Sequence, residues 1–313
     1  MSAWRHRGDP PAARGPRRPS HFDYSRVSLT FTSDGTDCAG WLYRPDGVET
    51  PPVVVMAGEL ATDRRFGLRT YAERLAEAGY AAFLFDYRTT GDSDGEPRNL
   101  VAPDAQVADW HAAVEGLRER PEIDSNRVVL WGAGLSGGYA LRVAAEDRHV
   151  AGVVAQNPML DGGAVMSGRG VRGTLAALAA GVRDKVQSRF LGPYRVPVVG
   201  DGTSMSVFED PSVRVAYREL VSPGSAWRDE TPARLFLSMF RYNAVSDPDA
   251  ITCPTLLVAG TRDELADADD VAALADELDD ATLVELPVGH FDHYDDAFEQ
   301  TFGHLLSFLR TVR

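Results

Sequence analysis

Short apolar runs alternate with stretches of helical periodicity along most of the chain. Eight runs of four to six residues are typical of strands: residues 27–31, 39–43, 53–56, 81–86, 128–131, 150–155, 255–259 and 282–285. Apolar positions at helical spacing predict helices over residues 69–78, 104–117, 136–145, 269–278 and 298–309. The alternation predicts an α/β fold with a mostly parallel eight-stranded sheet and helices on both faces. The turn-rich segment 33–37 predicts that the first two strands form an antiparallel hairpin.

The alternation stops between residues 155 and 255, where the pattern indicates an insertion. Three helical patterns occupy residues 175–190, 213–220 and 233–240, and a Pro/Gly-rich piece covers 191–202. The aromatic density argues against a disordered linker, so we expect a helical cap over the carboxyl ends of the strands. The predicted organisation is a flexible arm (1–20), an α/β core (21–158 and 250–313) and a cap (159–249).

The net charge and the cysteine content indicate which class of partner and which cellular compartment to expect. The 313 residues carry a formal net charge of −14, which argues against nucleic acid or an anionic membrane as the main partner. The sequence has no apolar run of about 18 residues, and residues 1–20 lack the apolar region of a secretory signal. Two cysteines, Cys38 and Cys253, are too few for a disulfide framework and suit a reducing cytoplasm. We expect a cytoplasmic protein with a small-molecule partner. The sequence leaves open whether the chain forms a homodimer.

The segment from Arg127 to Gly138 has the pattern of a nucleophile elbow, in which a strand runs into G-x-S-x-G before a helix. If the first glycine of the motif is Gly132, the nucleophile position falls on Gly134, which has no side chain to attack with. A second register, Gly134 to Gly138, fits the motif with Ser136 as nucleophile. Ser136 lies two residues further from the strand, where the helix has already begun. We therefore place Gly134 at the nucleophile position and keep Ser136 as the alternative.

Several further segments carry a family resemblance. They are 71–80, 85–88, 91–97, 251–263 and 286–291. With the elbow, they resemble the α/β-hydrolase superfamily, in the branch of dienelactone-hydrolase-like esterases and peptidases, over residues 22–313. The resemblance implies a triad in the chain order nucleophile, acid, histidine. It places the acid at Asp263 and the base at His290. His293 is a second histidine close by in the chain that does not match the motif. A loop carboxylate at Asp263 and a merely hydrogen-bonded histidine at His290 are the alternatives.

The resemblance also implies an oxyanion loop after the third strand, which here is Ala57-Gly58-Glu59-Leu60. A carboxylate at Glu59 would repel an oxyanion if it faced the pocket, but it could serve as an acid, a base or a hydrogen-bond partner. The alternative is that Glu59 points to solvent or pairs with Arg64 or Arg65. The residues predicted to line the oxyanion hole and the pocket are Gly58, Glu59, Leu60, Leu135 and Tyr242.

Without a nucleophile at Gly134, the retained chemistry is that of His290 and Asp263, which can remove a proton from carbon or activate water. The glycine also leaves room for a substrate group. The favoured interpretation is a non-hydrolytic lyase acting on a polyketide-like acyl or lactone substrate. It is compatible with the class of enzymes that eliminate acetate from an O-acetylated tetronate.

Two other interpretations stay open. One is an esterase or thioesterase in which Ser136 or activated water attacks, and the other is a silent ligand-binding protein. No cofactor is expected, and no metal either, because the acidic run 263–270 lacks His or Cys at metal spacing and is typical of a helix start.

Overall fold

The computed structural model describes residues 5–7, 21–222, 225 and 227–312. Within them the main sheet has nine strands, of which eight are the predicted ones. The nine are β1 (Arg5–Arg7), β2 (Tyr24–Ser33), β3 (Thr36–Pro45), β4 (Val53–Ala57), β5 (Ala81–Phe85), β6 (Val128–Ala133), β7 (Gly152–Gln156), β10 (Thr255–Gly260) and β11 (Ala281–Leu286). Two short strands in the insertion, β8 (Arg195–Val196) and β9 (Thr231–Pro232), pair only with each other.

The strand order in the main sheet is β1-β2-β3-β5-β4-β6-β7-β10-β11. The six strands from β5 to β11 in this order are parallel, whereas β1, β2 and β3 pair antiparallel. The predicted hairpin and the predicted α/β class are therefore confirmed. Most of the predicted flexible arm lies outside the described residues, but its residues 5–7 pair with β2.

Nine α-helices occur in the described residues. They are α1 (Leu68–Glu77), α2 (Pro103–Arg118), α3 (Leu135–Glu146), α4 (Gly162–Ser167), α5 (Gly170–Gln187), α6 (Pro211–Leu220), α7 (Leu235–Met239), α8 (Ala268–Glu277) and α9 (Phe298–Leu309). Alternate residues of a strand point to opposite faces, so Val53 and Val55 of β4 join one core while Val54 and Met56 join the other. The helices α1 and α9 cover the second face, and α2, α3 and α8 cover the first together with the insertion.

The insertion between β7 and β10 contains α4 to α7, so the three predicted helical patterns are present. The short α4 is not predicted by the sequence pattern, because its six residues make fewer than two turns, too few for apolar positions to recur at helical spacing. Segments of the insertion bind the loop that follows β4: Tyr217 donates to the carbonyl of Leu60, and the indole of Trp227 donates to Ala61 at 2.9 Å. The insertion therefore lies against the carboxyl end of β4.

Among the described residues, every helix is too short or too polar to cross a lipid bilayer.

Candidate active site

The turn between β6 and α3 is formed by one residue, Gly134. Its backbone has φ 55° and ψ −126°, a conformation that a side chain makes costly. The turn is fixed by backbone hydrogen bonds, because Gly134 donates to the carbonyl of Gln156 at 3.0 Å and accepts from Met159 at 2.9 Å. Leu135 begins the helix, so its N–H has no acceptor within α3. A strained turn and an N–H without an intrahelical acceptor thus meet at the carboxyl edge of the central strand.

His290 lies after β11 and Asp263 lies after β10, at the same edge of the sheet. Nδ1 of His290 and Oδ2 of Asp263 are 2.6 Å apart. Asp263 also accepts from the N–H groups of Leu265 and Ala266, which hold its loop in place. The structure therefore brings together the two residues that the family resemblance implies.

The carboxylate of Glu59 faces inward. Its Oε2 lies 3.1 Å from Nε2 of His290, and its Oε1 accepts a hydrogen bond of 2.6 Å from the hydroxyl of Tyr294. The alternative pairing with nearby arginines does not occur, since Arg64 binds Asp86 and Asp92 and Arg65 binds Asp92 and Asp63. Only 5% of the Glu59 side chain and 8% of the His290 side chain are exposed.

The imidazole of His290 thus lies between two carboxylates. Burial alone would lower its pKa, but the negative charges and hydrogen bonds of Glu59 and Asp263 outweigh burial and raise the pKa of His290 to about 10. His290 is consequently an imidazolium at neutral pH. In this state it donates a hydrogen bond to each carboxylate, and it cannot act as a base until it has lost a proton.

The backbone of Gly134 would direct a side chain towards Glu59 and His290. A Cβ atom built on Gly134 would lie 3.0 Å from Oε2 of Glu59 and 3.2 Å from Nε2 of His290. The expected free space beside Gly134 is therefore wrong for this state of the protein, because the Glu59 carboxylate fills it.

The geometry does not support Ser136 as a nucleophile. Its side chain is fully buried and its hydroxyl binds the carbonyl of Gly58 and the hydroxyl of Tyr87. Tyr87 in turn accepts from the indole of Trp110 at 2.9 Å. The hydroxyl of Ser136 therefore joins α3 to the loop after β4, while both nitrogens of His290 are engaged by Asp263 and Glu59.

Of the other predicted pocket residues, Gly58, Leu60 and Leu135 lie around Glu59 and Gly134, but Tyr242 does not. A Cβ on Gly138 would collide with the Tyr242 hydroxyl, and the Tyr242 ring meets Tyr139 edge-on at 5.6 Å. Tyr242 lines a separate cavity of about 680 Å³ between α2 and the insertion. His293 is also separate, since it is buried with Nδ1 2.8 Å from the Thr301 hydroxyl.

Sequence reasoning missed Tyr294 and Tyr217. Tyr294 follows His290 by four residues, in a short 3₁₀ turn (Asp292–Tyr294) that returns its hydroxyl to Glu59. The ring centroids of Tyr217 in α6 and Phe291 are 5.5 Å apart, and those of Phe291 and His290 are 4.8 Å apart. The signal for Tyr294 is its proximity to His290 in the chain, whereas Tyr217 comes from the insertion and has no local signal.

Beside the site, a cavity of about 380 Å³ borders the Asp263 loop and the segment after β7. Its lining includes Met159, Leu160 and Leu265 together with the carboxylates of Asp161, Glu264, Asp267 and Asp270. A neutral substrate suits this lining better than an anionic one.

Comparison with known proteins agrees with the α/β-hydrolase fold. The quorum-quenching protein AidA of Acinetobacter baumannii is 32% identical over 289 residues, covering 91% of this chain and 95% of AidA. The polyketide transferase ATR5 of Stachybotrys chlorohalonatus is 39% identical over 138 residues, covering 44% of this chain and 46% of ATR5. The crystal structure of the α/β-hydrolase GrgF from Penicillium superimposes with a TM-score of 0.81 at 23% identity, over 92% of this chain and 98% of GrgF.

Residues 53–290 match the family described as serine aminopeptidase, S33. This match spans the elbow, the Asp263 loop and His290, and the identity to AidA extends over nearly the whole chain. The chain therefore belongs to the serine aminopeptidase S33 family of α/β-hydrolases.

Proposed function

We propose that this protein is an α/β-hydrolase-fold lyase that eliminates a carboxylate such as acetate from a polyketide-like acyl substrate. One observation supports the proposal: a Cβ on Gly134 would point at Glu59 and at Nε2 of His290, the nitrogen that faces the nucleophile in a Ser–His–Asp site. A covalent acyl-enzyme requires a side-chain nucleophile next to a base. Proton transfer requires only the acid–base groups, which are present.

In the proposed reaction, Glu59 takes a proton from the carbon next to the substrate carbonyl. The electron pair of that C–H bond forms the new C=C bond, and the C–O bond to the acyloxy group breaks. The acyloxy group leaves with its electron pair as a carboxylate, and the proton stays on Glu59. The atoms balance without a co-reactant.

The other residues stabilise the charge that develops on the substrate carbonyl oxygen. The imidazolium of His290, held by Asp263, supplies a positive charge beside Glu59. The N–H of Leu135 at the start of α3 supplies a hydrogen-bond donor of the kind that oxyanions require. Tyr294 orients the Glu59 carboxylate through Oε1.

The substrate class rests on two observations. The names of relatives such as the polyketide transferase ATR5 point to polyketide-derived acyl groups. The ring of Phe291 packs against His290, and the ring of Tyr217 packs against Phe291; these aromatic side chains suit an apolar acyl chain.

The oxygen-18 content of the released acetate tests the proposal. The purified protein is incubated in ¹⁸O-water with O-acetylated β-acyloxy carbonyl compounds, including an O-acetylated tetronate. Elimination breaks the alkyl C–O bond, so we expect unlabelled acetate and an alkene product. Acetate carrying one ¹⁸O would instead show acyl–oxygen cleavage by water, which is the esterase alternative. Ligand binding without turnover of any of these compounds would favour the silent binding protein.

Active-site variants complete this test. We expect Glu59→Gln and His290→Gln to lose the elimination activity and Ser136→Ala to keep it. A fluorophosphonate probe is expected to leave the wild-type protein unlabelled. Stoichiometric labelling at Ser136 would contradict the proposal.

A further inference from the structure

The outward face of α5 carries large apolar side chains. Six residues of α5 and the turn after it are between 53% and 83% exposed: Val171, Leu175, Val182, Val186, Phe190 and Leu191. We call them the α5 stripe. The helical positions recur at spacings of four and seven residues, so they lie along one side of the helix. A contiguous exposed apolar surface of this kind indicates an interaction site.

The inner face of α5 is built from small residues instead. Ala177, Ala180 and Gly181 are buried against the rest of the insertion. A Cβ on Gly181 would lie 2.8 Å from Cγ of Leu237 in α7, so the two helices are already in close contact there. An amphipathic helix that only packs on a core turns its large apolar residues inward. In α5 this arrangement is reversed, so folding of the insertion does not account for the stripe.

Charge identifies what the stripe contacts. Residues 170–191 contain the basic residues Arg172, Arg183, Lys185 and Arg189, and their only acidic residue is Asp184. The Asp184 side chain is fully buried and bound to Arg234, so it does not offset the outward charge. The surface of α5 is therefore cationic in a chain whose net charge is −14.

We propose that α5 lies on an anionic lipid surface, with the stripe inserted at the boundary between headgroups and acyl chains. An apolar face flanked by Arg and Lys is the pattern of interfacial helices, and long basic side chains reach up to the headgroups. A second copy of this chain is a poorer partner. If the stripes of two copies packed against each other, the four basic residues of one α5 segment would lie near the four of the other and repel them. The net negative charge of the chain does not prevent this contact, since charges beyond about 10 Å are screened at ordinary salt.

Vesicle sedimentation tests the proposal. The full chain is mixed with vesicles of phosphatidylcholine alone or with 40% phosphatidylglycerol. We expect wild-type protein to sediment with the anionic vesicles only. In Leu175→Gln/Phe190→Ser the partition coefficient is expected to fall at least tenfold. Each of Arg172→Gln, Lys185→Gln and Arg189→Gln is expected to lower it about fivefold, from roughly 1 kcal/mol per basic residue.

Two matched controls make the outcome specific. Val215 is 60% exposed in α6, and Arg148 is an exposed cation outside the insertion. Val215→Ser and Arg148→Gln should bind vesicles as the wild type does. Circular dichroism melting establishes that every variant is folded.

Three results would overturn the proposal. They are failure of the wild type to bind anionic vesicles, equal binding by folded stripe variants and control variants, and a stable dimer in sedimentation equilibrium that Leu175→Gln/Phe190→Ser dissociates.

Discussion

The carboxylate of Glu59 lies 3.1 Å from the imidazole of His290, although the two residues are 231 positions apart in the chain. In a Ser–His–Asp site the atom facing Nε2 of the histidine is a neutral hydroxyl. Here it is a carboxylate, and the partner of Nδ1 is a second carboxylate, Asp263. The histidine is thereby held in its protonated form, which changes both the chemistry of the site and its response to pH.

The first prediction concerns the titration of His290. With both carboxylates in place, the pKa of His290 is raised to about 10, so its ¹⁵N NMR signals should remain those of an imidazolium from pH 7 to 9. In Glu59→Gln one negative charge is lost, and the titration should move to lower pH. A His290 signal that already titrates near pH 6.5 in the wild type would contradict the assigned charge state.

The pH dependence of elimination follows from the same charge. If the imidazolium stabilises the developing oxyanion, kcat should fall as the pH rises through about 10, where His290 loses its proton. A neutral His290 acting as the base would give the opposite slope, with kcat rising up to that pH. Stopped assays between pH 7 and 10.5 separate the two, and thermal melting at each pH verifies that the protein stays folded.

Stability should depend on pH in the same window. The pKa of His290 is about 10 in the folded protein and about 6.5 in an unfolded chain. The folded state therefore holds the proton more tightly, and its contribution to stability is complete below pH 6.5 and disappears as the pH rises to 10. The difference in unfolding free energy between wild type and His290→Gln should shrink on the order of 1 kcal/mol per pH unit from pH 7 to 9.5. Urea unfolding measures it, and a difference that is constant with pH would refute the assignment.

Local patterns predicted the sheet well because each βα unit carries its own signal. The runs that became β4, β6 and β10 are buried at every position and almost entirely apolar, and the turn after β6 is marked by its glycines. The short α4 makes fewer than two turns, so its apolar positions do not recur, and its N-terminus is capped by Asp161, whose carboxylate accepts from the N–H groups of Gly163 and Ala164.

The direction of Glu59 could not be predicted from its surroundings in the sequence. The neighbouring arginines were the obvious partners, but Asp86 and Asp92, which follow β5, engage Arg64. The groups that hold Glu59 inward, His290 and Tyr294, come from the far end of the chain. Only tertiary structure brings them together.

Tyr294→Phe should lower kcat about tenfold while KM changes little. The hydroxyl of Tyr294 donates a 2.6 Å hydrogen bond to Oε1 of Glu59, and a hydrogen bond to a charged group contributes about 1.5–3 kcal/mol. Tyr242→Phe is the matched control, because the buried Tyr242 hydroxyl lacks a hydrogen-bond partner among the described residues. Equal activity of the two variants would show that Tyr294 does not position Glu59.

The last prediction converts the site into that of a hydrolase. A side chain at position 134 would meet Oε2 of Glu59 at 3.0 Å, so Gly134→Ser alone should be crowded and inactive towards esters. Glu59→Ala removes the obstructing carboxylate, and in Gly134→Ser/Glu59→Ala the new hydroxyl would adjoin His290 with Asp263 behind it. We expect this double variant to react with a fluorophosphonate at residue 134 and to hydrolyse p-nitrophenyl acetate about 100-fold faster than either single variant, the range of a positioned general base. A folded double variant that is neither labelled nor active would show that Gly134 does not occupy the position of the nucleophile, because the imidazole and the oxyanion donors would still be in place around it.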